Sequence, residues 1–158
     1  MSTIIQGPQT TDLVLGNGPV AGKLVTLSGA ATHQVFTVTG GELLITALWG
    51  KCTTEMAGAN TVQLQFDPST GDTVAFTQAD DLGTTNTAAG TLLMAQIDVD
   101  DTVNTPHLVK GSGQVITNLA VPVGDVECVI TGAAADGAIT WYATWVPLTA
   151  GAYLTAAA

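Results

Sequence analysis

Arginine is absent from this sequence, and lysine occurs only as Lys23, Lys51 and Lys110, against thirteen carboxylates. Affinity for nucleic acid comes mainly from clustered Lys and Arg facing phosphates, so no direct contact with DNA or RNA is expected. The same sign of charge argues against an anionic membrane surface. Charge of either sign is scarce, at 10% of the chain, so the surface must be built largely from Thr, Ser, Asn and Gln. A neutral polar surface is easily covered by another protein, because few ions need desolvating.

Long apolar runs are missing too. No stretch reaches the roughly 18 uninterrupted apolar residues of a spanning helix. The opening "MSTIIQGPQTTDL" has no basic n-region, so no cleaved export signal is expected and first residence is expected in the cytoplasm. Cysteine occurs twice, as Cys52 and Cys128, each inside an apolar strand-like run. Buried free thiols are the ordinary reading of such a pair, and a disulfide is the alternative.

Catalytic and metal-binding patterns are equally sparse. There is no G-x-S-x-G, and "GSG" at Gly111 to Gly113 reads as a turn. His33 and His107 lack ligand spacing to each other or to the cysteines, which leaves zinc without a site. The run "IDVDDT", with Asp98, Asp100 and Asp101, could meet Asp80 and Asp81 around a calcium ion. It puts Val103 and Val109 where the tight-turn glycine and the bidentate Glu of an EF-hand belong. Solvated loop carboxylates are the simpler reading, and no catalytic residue, cofactor or metal is expected.

What is present is a regular supply of short β-rich runs. With 158 residues the chain suits one domain, able to bury about 68–70% of its unfolded surface. Residues 1–20 are rich in Thr, Gln, Gly and Pro and read as an extended N-terminal arm. From "KLVTLS" onward, strand-like segments alternate with turn residues over 21–148, and 149–158 form a C-terminal tail. "TVQLQF" alternates strictly, placing Val62, Leu64 and Phe66 on one face. "DVECVIT" does the same with Val126, Cys128 and Ile130, and "AITWYATWV" with Ile139, Trp141, Ala143 and Trp145. Gly40-Gly41 is expected to turn a hairpin between "HQVFTVT" and "ELLITALWGKCTT". "DPSTGD" is expected to turn a second, with Val74 and Phe76 inward. Residues 78–89 and the stretch "DDTVNTPHLVKGSG" read as loops. Eight or nine strands and no helix imply an all-β antiparallel sandwich, jelly-roll-like.

Two aromatic questions follow. Trp49, Trp141 and Trp145 could form a sugar-stacking platform, as in a carbohydrate-binding module, but Trp141 and Trp145 share strand parity with Ile139 and read as core. The ending "LTAGAYLTAAA" carries no charge. Left wet, such a strip invites association, so it either folds back or is covered by a neighbour. The expectation is docking against a neighbour.

The stretch "VFTVTGGELLITALWGKCTTEMAGANTVQLQFDPSTGDT" and the closing "GAITWYATWVPLTAGAYLTAA" resemble small virion structural proteins of tailed bacteriophages. Those proteins often show a "TVTG" hairpin, a following L-x-G-x-x-T strand and an ending of the form W-x-x-x-(Y/W)-x-P-L-x-x-G-A. The resemblance implies a decoration, or cement, protein on the outer capsid surface. It would be a homo-oligomer, commonly a trimer, assembled in the host cytoplasm with the major capsid protein as partner. Under that reading the arm and the tail make the contacts, through Ile4, Ile5, Leu13, Leu15, Tyr153 and Leu154. A tail, fibre or baseplate component is the alternative within the virion.

Overall fold

A computed structural model describes residues 22–96, 105–111, 118–132 and 135–158. The arm assigned to residues 1–20, including Ile4, Ile5, Leu13 and Leu15, lies outside them, as do Asp98, Asp100 and Asp101. The described residues contain twelve strands and no helix. Two antiparallel sheets pack as a sandwich around one core. Sheet A runs β1 (Leu24–Thr26), β11 (Ala138–Pro147), β3 (Leu43–Thr54), β7 (Leu92–Gln96), β8 (His107–Lys110), with β9 (Leu119–Val121) also on β3. Sheet B runs β12 (Tyr153–Ala156), β2 (Ala31–Thr39), β10 (Gly124–Ile130), β4 (Thr61–Pro68), β5 (Val74–Ala75), with β6 (Asp80–Asp81) also on β4.

The pairing is nested. β1 pairs β11, β2 pairs β10, β3 pairs β7 and β4 pairs β5. One long antiparallel ribbon is thus rolled into two facing sheets, which is the jelly-roll arrangement. The Gly40-Gly41 turn takes positive φ as its sequence suggests, but it joins strands of different sheets. It is a corner of the sandwich and not a hairpin. A Cβ at Gly40 would lie 2.2 Å from the Gly151 carbonyl oxygen, so this corner accepts only glycine against the β11–β12 turn. The expected second hairpin forms, with Gln65 opposite Ala75 and Phe66 opposite Val74. Val74 is nevertheless 58% exposed, because two-residue β5 is the outermost strand and leaves its inward side chain wet.

Alternation places the core as the sequence implies. Val62, Leu64, Phe66, Val126, Cys128, Ile130, Ile139, Trp141, Ala143 and Trp145 are all buried. Where alternation fails, a bulge explains it. Register slips between Val126 and Glu127 opposite β2, so the successive residues Val35 and Phe36 both face inward. A second slip between Thr144 and Trp145 lets β3 bury Leu43 and Ile45, then Leu48 and Cys52. β8 was hidden in an irregular-looking stretch because it is only four residues long, bracketed by Pro106 and Gly111.

Cys52 and Cys128 are both free and buried. Burial pushes the Cys128 thiol up to about 12, with the Trp141 indole acting in the opposite sense. Burial likewise raises the Cys52 thiol, which donates to the carbonyls of Thr54 at 3.0 Å and Thr87 at 3.4 Å.

Candidate interaction surface

Tyr153–Ala156 adds a strand to the edge of sheet B, with Leu154 opposite Val38 and Thr155 opposite Thr37. Leu154 is 4% exposed and belongs to the core cluster, so the expectation that it docks on a neighbour is corrected: it folds back on its own domain. Alternation then turns Tyr153 outward, 48% exposed. Replacing Leu154 with Ala is expected to cost about 2 kcal/mol, the low end for a buried Leu because a four-residue edge strand can collapse onto the gap. Urea unfolding checks this, and no change in midpoint would mean that β12 is not part of the cooperative unit.

The two outer faces differ sharply. On sheet B the outward side chains form cross-strand polar contacts. Asp125 accepts from Gln34 at 2.9 Å and Thr37 at 2.7 Å, Glu127 accepts from Gln65 at 2.7 Å, and Asp67 accepts from Thr73 at 2.7 Å. On sheet A the outward rows are mostly apolar or hydroxylic, with Lys51 as a cation among them. Leu24, Thr140, Lys51 and Leu92 stand in register across four strands. Tyr142 lies opposite Trp49, and the two rings stack with centroids 5.6 Å apart and planes 16° off parallel. Val146, Leu44 and Ala120 make a further row, and Met94 pairs Val109.

Charge separates the same way. Among the described residues no strand of sheet A contains Asp or Glu, whereas sheet B carries Asp67, Asp80, Asp81, Asp125 and Glu127. Lys51 sits exposed on the sheet A face, without a hydrogen bond or ion pair among the described residues. The sugar-platform alternative loses Trp141 and Trp145 to the core, and Trp49 stacks on Tyr142 instead of lying beside it as a flat shelf.

The remaining polar groups serve the scaffold. Asp80 accepts from the Leu108 N–H at 2.6 Å and contacts His107 Nδ1 at 2.7 Å, clasping β6 of one sheet to β8 of the other. Asp81 accepts from the Gly83 and Thr84 N–H groups and from the Thr84 hydroxyl, contacts that hold its carboxyl below the usual range. The two neighbouring carboxylates are therefore committed to different partners, and the described residues contain no group of three metal ligands. Asp136 accepts from the Ala57 and Gly58 N–H groups at 2.9 and 2.8 Å. Beside β1 lies an open cavity of about 700 Å³ whose lining includes Leu24, Thr26, Thr53 and Thr140, with Asp136 as its one carboxylate. A smaller polar groove, about 440 Å³, runs between β1 and β2 past Lys23, His33 and Glu127. There Lys23 donates to the Ala158 carbonyl.

Sequence parity missed the Trp49–Tyr142 stack as a surface feature. The pairing that brings these rings together joins residues 93 apart in the chain, and only the β3–β11 register reveals it. No protein family, characterised protein or solved structure matches this chain.

Proposed function

We propose that this chain is a non-enzymatic structural protein of a tailed-phage virion, a decoration protein that sits on the outer capsid surface and braces neighbouring capsomers. The reading is supported by one observation above the others: among the described residues the sandwich has a wettable acidic face and an opposite face with a single exposed cation and no strand carboxylate. A bracing protein needs both kinds of surface. The face with few ions can be buried against a sister copy at little desolvation cost, while the acidic face keeps further copies from stacking on it and leaves the capsid contact to the arm and the domain edge. Each contact can be weak, because many copies engage one lattice. The major capsid protein is the partner, and the arm, with Ile4, Ile5, Leu13 and Leu15, reaches it together with Tyr153.

Binding to empty capsids by gradient co-sedimentation tests this. The full chain is expected to saturate the shell at a fixed copy number. A chain with Ile4, Ile5, Leu13 and Leu15 all replaced by Ser is expected to bind at least tenfold more weakly. Undiminished binding would remove the arm from the interface, and absence of any shell binding by the full chain would remove the decoration role.

A further inference from the structure

Every cation borne by a sheet strand lies in sheet A, and every carboxylate borne by a sheet strand lies in sheet B, among the described residues. We propose that the outer face of sheet A is the contact between two copies of this chain, packed face to face about a twofold axis. The inference rests on the reading of the protein as an assembly component and names what covers this face.

Three observations favour a second copy as the occupant. The first is charge. Two chains of net charge −10 repel, and sheet A is the face through which they meet with their strand carboxylates turned away from each other. Meeting through sheet B would instead press Asp125 and Glu127 together, and meeting A against B would desolvate those carboxylates on Trp49 and Tyr142. The second is chemistry. The face centres on the Trp49–Tyr142 stack, flanked by Leu24 at 54% and Leu92 at 38% exposure. An apolar patch with polar surroundings is complementary to itself, as a twofold contact requires. Lys51 can lay its stem on the patch and send its ammonium to the rim. The third is area. At about 3.3 Å per residue and 4.8 Å between strands, the six strands of sheet A spread over about 600 Å². Two copies then bury about 1,200 Å² together, the lower bound for a specific, stable interface.

Light-scattering mass measured on the full chain over a concentration series tests the proposal. The expected mass is twice that of the chain. Tyr142→Glu and Leu92→Glu are each expected to raise the dissociation constant at least 100-fold, while Thr155→Glu, exposed on sheet B, leaves it unchanged. Leu92 is a surface residue, so its variant keeps the fold and decides the matter should Tyr142→Glu fail to fold. A monomer at millimolar concentration, a trimer, or a dimer indifferent to both sheet A variants would overturn the pairing. The decoration role fails separately: a sheet-A dimer that binds no capsid sinks that role and leaves the pairing intact.

Discussion

Trp141→Ala is expected to remove about 3–5 kcal/mol of stability, the range for truncating a large buried aromatic. That is a large share of the roughly 5–15 kcal/mol that holds a domain together. Trp141 is fully buried on β11, and its ring lies over Gly50 of the neighbouring β3. A Cβ placed on Gly50 would lie 2.8 and 2.9 Å from two carbons of that ring and 3.1 Å from Ile139 Cγ2. The glycine is therefore the seat of the indole. In the wild type, Gly50→Ala is expected to cost about 1–3 kcal/mol by overpacking. In the Trp141→Ala background only the Ile139 contact at 3.1 Å remains, and the same change is expected to become nearly neutral, since Ala loses less chain entropy than Gly in a strand by about 0.5–1 kcal/mol. Urea unfolding of the four chains gives the coupling directly. Additive effects would show that the two residues do not share the space assigned to them.

The second large effect is a loss of stability at high pH. The Cys128 thiol is raised from 9.0 to about 12 by burial. A group that holds its proton more tightly when folded contributes stability that is whole below its unfolded value and is lost as pH climbs. The decline should therefore begin near pH 9 and continue towards pH 12. The full gap corresponds to about 4 kcal/mol. The upward shift of Cys52 acts in the same direction. Comparing unfolding free energies of the wild type and Cys128→Val from pH 7 to 11 isolates the Cys128 share. The variant is expected to lose less stability over that range, and parallel curves would rule the thiol out. Below pH 9 the native thiol should resist alkylation, reacting only through unfolded chains.

Much of the fold was legible because burial and strand periodicity agree. Val62, Leu64 and Phe66 alternate with Thr61, Gln63 and Gln65, and the structure buries the first set. The same holds for Ile139, Trp141, Ala143 and Trp145. The misreadings occur where the local pattern is silent about distance. Gly40-Gly41 looks like a hairpin turn from either side, yet β2 and β3 part into different sheets. β8 is too short to show a period. Leu154 has the composition of a docking residue, and it is taken by its own core because a free edge on β2 lies within reach of the chain end.

Side-chain direction along each strand, the scarcity of cations and the neutral character of the tail are properties of the letters alone, since they depend on charge and on a period of two. Strand partners are different. They join residues such as Leu24 and Thr140, or Trp49 and Tyr142, 116 and 93 positions apart, and alternation is blind to which strands meet. The division of charge between two sheets arises only when the ribbon rolls, because rolling gathers the acidic strands β4, β6 and β10 into one layer and the lysine-bearing strands β3 and β8 into the other.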